Sequence, residues 1–375
     1  MKSETLKIST AILQWINDRF FDNLGSMQGK FTKWLNGDTI PTIKQVKEMC
    51  KKIHIPFRYV LMENPPKENC DIIDFRTVDS IELVNPSREL IDINNKMTEI
   101  QLWMEDYLRI GGETKLSFVG KYANSDFNTI VDAIRKTLKI EVKYFDKLQS
   151  TRDCFNFIRK KCQDVGILTL CSGIVGENNK RKLNIKEFRA FAKINDFAPL
   201  IFINCNDTWT GRLFSLFHEI AHIFLGKNDL YNVSYNALIN SHNTEVLCNK
   251  VASELIMPLS VYNTLNMSID DYATFFKCSK YVVVRRMLDL GDISKNEYDN
   301  YIEQFNAEFD KNRVNAKSGR GNFYNNKLFK LDNRFIDALN SSVVFGNTSY
   351  IEAYRLTDTT AKTYSNIINE LRLAR

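Results

Sequence analysis

Apolar residues recur along this chain mostly at helical spacing. Ile8, Ala11, Ile12 and Trp15 open the pattern, and Phe31, Trp34 and Leu35 repeat it before the turn Asn36-Gly37-Asp38. Pro41-Thr42 then starts a helix with Ile43, Val46, Met49 and Cys50 on one face. Pro65-Pro66 marks a boundary near residue 70. Residues 71 to 145 read as mainly helical, with one stripe of Ile100, Leu102, Trp103, Tyr107 and Leu108 and another of Ile130, Ile134 and Leu138. From about 146 the pattern changes. A helix over 153–163 runs into the strand-like Val165 to Leu170, and a polar loop or hairpin covers 172–182. Strands are expected over 188–192 and 200–203, and a helix from near Arg212. Past Pro258 the chain is again helical, apart from the break Ser318-Gly319-Arg320-Gly321. The expected fold class is α+β in the middle with α-helical flanks.

Composition changes this picture little. The chain has 375 residues, 44% hydrophobic and 26% charged, which excludes a wholly disordered chain and is long enough for several domains. A net charge of +6 permits an acidic partner without requiring nucleic acid. No pair among the 8 cysteines has CxxC spacing, so buried reduced thiols are expected. No apolar run approaches the ~20 residues that span a bilayer, and none follows Met1. The expectation is a cytoplasmic protein with no membrane partner.

The chemistry concentrates in Leu216-Phe217-His218-Glu219-Ile220-Ala221-His222. Histidines four apart share a helix face, so both imidazoles can meet one ion, and Glu219 can reach a water on it. Leu213, Phe214, Phe217, Ile220, Ala221 and Phe224 give that helix a broad apolar surface, and Gly226 is a plausible stop. A catalytic zinc takes three protein ligands and a water. Glu245, 23 residues after His222, is the candidate third ligand, with His242 as the alternative. Asn249, one turn beyond Glu245, is placed to hydrogen-bond a ligating histidine. Glu219 would accept the water's proton and pass it to the leaving amine. Tyr231, Tyr235, His242 and Arg189 are the candidates for steadying the oxyanion.

These residues resemble the ImmA/IrrE family of metallo-endopeptidases, which takes two histidines from one helix and a glutamate from the next. The resemblance extends through Glu187-Phe188-Arg189-Ala190-Phe191-Ala192, Ala198 to Asn204, Leu213 to Glu219, Cys248 to Ala252 and Leu255-Ile256-Met257-Pro258. It implies a zincin-like metallopeptidase domain, a small mixed sheet with active-site helices, over residues 146–262. It also implies Zn2+ as cofactor and His218, His222 and Glu245 as ligands. Phe31-Thr32-Lys33-Trp34-Leu35-Asn36-Gly37, Pro41-Thr42 and Pro65-Pro66 resemble the tail of a Cro/repressor-type helix-turn-helix domain over 1–70, with DNA as a possible partner through Lys30 and Lys33. Phe20 to Gly25 stands where such a domain has a polar recognition helix. Residues 71–145 would be a helical connector and 263–375 a helical extension. The implied substrate is a helix-turn-helix transcriptional repressor, cut in stress response or mobile-element regulation, in a bacterial or phage-borne regulator. The alternative is a DNA-binding regulator, or a toxin–antitoxin or defence component, that uses the zinc fold as a sensor.

Overall fold

Helix starts in this protein are set by side chains that cap the first free N–H groups. Ser9, Thr42, Asp126, Ser150, Thr208, Ser268, Ser279, Asp332 and Ser349 each accept from a backbone N–H one turn on. Thr42 with Gln45, and Ser150 with Asp153, form reciprocal capping boxes. The computed structural model describes residues 4–66, 86–226, 235–315 and 323–373, and for 235–243, 308–315 and 323–326 the backbone alone. The described chain divides into two compact units, one of residues 4–66 with 86–91 and one from Asp92 onward.

In the first unit, α1 (Thr10–Phe20), α2 (Gln28–Leu35) and α3 (Ile43–Lys52) enclose Ile12, Ile16, Phe31, Trp34, Val46 and Met49. Between α1 and α2, Asp22–Met27 is a 3-10 segment in which Gly25 has a positive φ of 49°.

The second unit contains α4 (Arg88–Ile110, from Asp92), α5 (Phe127–Leu138) and α6 (Thr151–Asp164). The strands follow: β1 (Leu168–Ser172), β2 (Ile174–Val175), β3 (Asn178–Lys182), β4 (Ala190–Lys193) and β5 (Leu200–Asn204). Next come α7 (Trp209–Leu225), α8 (Tyr235–Ile256), α9 (Leu259–Tyr262), α10 (Ile269–Phe275), α11 (Lys280–Leu290) and α12 (Lys295–Asn315). The last helices are α13 (Phe323–Lys330), α14 (Asn333–Val344), α15 (Tyr350–Thr357) and α16 (Ala361–Leu373). The fold is α+β: a mixed sheet of order β1-β5-β4, a β2-β3 hairpin where the polar stretch lies, and helical flanks. β1 runs parallel to β5, with Leu168 opposite Leu200. β4 runs antiparallel to β5, with Ala190 opposite Ile203. Every residue of β1, β4 and β5 is buried, as a sheet covered on both faces requires. α7 packs against β4, β5, α6 and α8 and fills the centre of the core.

The helix stripe over α4 differs from the sequence expectation. Met97, Ile100, Met104 and Leu108 face inward, whereas Leu102 is 54% exposed. At 100° per residue Leu102 lies some 200° round the helix from Ile100, on its far side.

β1 is a sheet edge, and side chains rather than a further strand satisfy it. The Thr169 N–H donates to Asp332 Oδ2 at 2.8 Å, and the Thr169 carbonyl accepts from Arg159 Nη2 at 2.9 Å. Arg159 also donates to the Phe329 and Leu331 carbonyls, which binds α6 and β1 to the C-terminal end of α13 and the residue that follows it. Asp332 is fully buried and caps α14 through the Phe335 N–H at 3.0 Å. An Asp332→Ala chain is therefore expected to lose about 2 kcal/mol, from a missing cap and a buried N–H left without its acceptor. A urea-unfolding midpoint measures the loss, and an unchanged midpoint would contradict this account of the edge.

Candidate functional site

The site is built on the last turns of α7 and the middle of α8. Asp207 and Thr208 anchor the start of α7: Thr208 Oγ1 accepts from the Gly211 N–H at 3.1 Å and Asp207 Oδ1 from the Thr208 N–H at 2.7 Å. Gly211 is required here, because a Cβ would lie 2.4 Å from Asp207 Oδ2. Leu213, Leu216, Phe217, Ile220, Ala221, Ile223 and Phe224 are all buried, so the helix is surrounded by protein. Its C-terminal end is closed twice. Gly226 takes φ 63° and donates to the His222 carbonyl at 2.9 Å. The Gly120 and Tyr122 N–H groups donate to the Ile223 and Phe224 carbonyls at 3.0 and 3.1 Å, filling acceptors that a helix end leaves open.

That rigid end holds His218 and His222 with their Nε2 atoms 3.0 Å apart. α8 docks on α7 and brings in Glu245, whose Oε1 lies 2.8 Å from His222 Nε2 and whose Oε2 lies 3.5 Å from His218 Nε2. One donor atom from each of the three residues lies within 4.8 Å of the others. Donors bound at about 2.1 Å around a tetrahedral ion stand roughly 3.4 Å from one another, close to the separations seen. The donor set, two imidazoles and a carboxylate, can hold a divalent metal ion. The α7 C-terminus also favours a cation at this point. Both histidines are buried, and the Glu245 side chain is 14% exposed.

Glu219 is buried too and lies three residues before His222, hence beside it on the helix surface. Phe214, one turn before His218, stacks on the His218 ring with centroids 6.4 Å apart. The apolar pattern marks Phe214 only as core, although its i−4 position already puts it on the face of His218. Asn249 is half-buried on α8, one turn beyond Glu245. Glu254, on another face of α8, accepts from Arg286 and caps the Leu259 N–H at 3.1 Å, which pins the end of the helix.

The remaining candidates divide. Arg189 Nη1 binds Asp207 Oδ2 at 3.1 Å, at the start of α7. Nine residues of helix, roughly 13 Å at 1.5 Å per residue, separate that end from His218. The strand register that places Ala190 opposite Ile203 carries Arg189 to that starting end of the helix. Tyr235 and His242 lie on α8, with side chains outside the described residues, and Tyr231 lies outside them altogether.

Comparison with known proteins finds a family model over the segment that carries these residues. Residues 162–288 match the family model described as the IrrE N-terminal-like domain, Peptidase M78, of the ImmA/IrrE family. Residues 331–370 match a domain of unknown function, DUF8813. No curated protein and no solved structure matches the chain. The segment holding both histidines and Glu245 is thus similar to a metallopeptidase domain. No helix among the described residues is long and apolar enough to cross a membrane.

Proposed function

We propose, from the metallopeptidase-type domain at 162–288, that this protein is a zinc endopeptidase that cuts one specific protein, a helix-turn-helix repressor, in stress response or mobile-element control. The observation that supports it most directly is the convergence of His218, His222 and Glu245 beside a buried Glu219. Zinc held by these three side chains would supply an acidified water and an electrophile for the peptide carbonyl. Glu219 would accept a proton at its carboxylate and hand it on to the departing amine. Phe214 and the closed end of α7 keep the imidazoles from turning away. Asn249 is assigned to orienting a ligand histidine, as groups one shell out commonly do. Tyr231, Tyr235 or His242 would donate to the carbonyl oxygen as negative charge grows on it.

The direct test is metal analysis. The purified chain is expected to hold one equivalent of zinc, and His218→Ala to hold almost none. Zinc at 100 times its dissociation constant should stabilise the wild-type chain by about 2.7 kcal/mol and leave the variant unmoved. Equal metal content in the two chains would remove the proposal. Metal-dependent cutting of a repressor encoded beside the protein then tests the substrate.

A second reading, a DNA-binding regulator, is favoured by one feature. α3 exposes Lys44, Lys47 and Lys51 on a single face, and α2 exposes Lys30 and Lys33. Binding through these lysines would weaken steeply with salt, and duplex binding insensitive to salt would exclude them.

A further inference from the structure

The corner between α14 and α15 turns its large apolar side chains outward. Val344 ends α14, Phe345 caps it, and Tyr350 and Ile351 open α15. Val344 is 67% exposed, Phe345 79%, Tyr350 58% and Ile351 80%. Leu102 of α4 joins them. α4 and α15 lie antiparallel, side by side: Lys96 pairs with Asp358 at 3.0 Å, Glu99 with Arg355 at 2.8 Å, and Trp103 Nε1 donates to Thr348 Oγ1 at 3.3 Å. Leu102 falls one turn after Glu99 and Ile351 one turn before Arg355, so the same alignment brings both to one face. These five side chains leave on the order of 500 Å² of apolar surface in water, at the upper end for a monomer.

The exposure is built into a fixed corner. Ser342 Oγ and Thr348 Oγ1, both buried, share a hydrogen bond at 2.7 Å. The Asn347 N–H donates to the Ser342 carbonyl at 2.9 Å, and Gly346 takes φ 76°. Buried polar groups thus hold the turn while apolar ones face solvent, the reverse of the usual division. A surface held in this way is ordered before it binds, which removes part of the cost of docking.

Two features point to a second copy of the chain as the occupant. The first is charge. No charged residue lies between Asp337 and Glu352, and on the α4 side Glu99 and Arg355 neutralise one another. Asp106 and Glu352 stand at the edge, as the polar rim that protein interfaces have. A two-fold axis sets a patch against itself, so a charged patch would meet its own sign. This uncharged one meets no repulsion, and it offers nothing specific to a strongly basic or acidic partner. The second is area. A stable dimer buries about 800 Å² per protomer, and homodimer interfaces are about 65% apolar, so each copy must bring on the order of 500 Å² of apolar surface. The corner supplies that amount. We infer that the protein is a two-fold dimer joined through the α14–α15 corner, with Phe345 and Ile351 as its buried anchors. The corner lies within residues 331–370, so assembly is the role this gives to the DUF8813 segment.

The test is the mass of the full chain in solution, by sedimentation equilibrium from low to high micromolar concentration. The expected mass is twice 43.6 kDa. Phe345→Glu and Ile351→Glu should each raise the dissociation constant at least about 30-fold, the loss that marks a central anchor. Ile40→Glu, at an exposed apolar residue of the first unit, should leave it unchanged. Phe345 and Ile351 are exposed within one copy, so both variants should fold as the wild type does, which circular dichroism checks, and if one misfolds the other decides. A wild-type chain that stays at 43.6 kDa throughout the range overturns the inference. A dimer that a folded Phe345→Glu or Ile351→Glu chain still forms at wild-type strength also overturns it, since its interface then lies elsewhere.

Discussion

A Glu219→Gln chain is expected to bind zinc as the wild type does and to lose roughly 10²- to 10⁴-fold in peptide hydrolysis, the range a positioned acid–base group contributes. Glutamine keeps the size and burial of Glu219, and none of the three donor atoms changes. It cannot take a proton at neutral pH, so the water stays unactivated and the amine leaves without help. Glu245→Gln should behave differently. Its carboxylate lies within 2.8 Å of His222 Nε2, and an amide is a poor substitute for an anionic ligand, so metal content itself should fall. Metal analysis beside cleavage of the repressor separates the two roles. If Glu219→Gln still cuts at the wild-type rate, Glu219 is not the base. If it loses its metal, Glu219 is a ligand and the roles assigned here are exchanged.

Gly226→Ala is expected to destabilise the protein by about 3 kcal/mol or more, combining a left-handed backbone with a severe overlap. Gly226 sits at φ 63°, and a Cβ there would lie 2.0 Å from Gly120 Cα and 2.9 Å from the Gly120 nitrogen. Both obstacles are backbone, so no side-chain rotation relieves them. The same Gly120 N–H bonds the Ile223 carbonyl, so pushing the 120–122 chain away also uncovers the end of α7. Gly291→Ala is the matched control: φ is 79°, yet nothing lies within 4 Å of the added carbon, and the cost should be about 1 kcal/mol. Denaturant unfolding of the two variants gives the comparison. Equal losses would mean that contact with Gly120 contributes nothing. Because Gly226 follows His222 by one turn, its substitution should also weaken zinc binding, whereas Gly291→Ala should not.

Features that are local in the chain are legible in the sequence itself. Histidines four apart on an apolar helix must share a face, whatever surrounds them. Thr42, Pro41 and Gly226 announce helix ends through their own backbone chemistry, and α3 and α7 begin and stop close to where these residues put them. The buried runs of β1 and β5 read as strands because a sheet covered on both faces has no need to alternate. Glu245 is legible in part. Its place one turn before Asn249 is visible along the chain, but His242 is a rival there, and only the docking of α8 on α7 brings the Glu245 carboxylate to both imidazoles.

What the sequence determined by itself was therefore the pair of histidines on one helix face with Glu219 beside them, the element types and the mixed fold class, since each depends on residues within a turn or two of one another. Tertiary structure alone decided that Arg189 binds Asp207, that Leu102 faces outward, and that Gly120 meets Gly226. It also decided that Asp332, 163 residues away, closes the edge of β1. Periodicity along a chain fixes which way a side chain leaves its own helix or strand. What it meets is set by the packing of elements far apart in sequence, and carries no local signature.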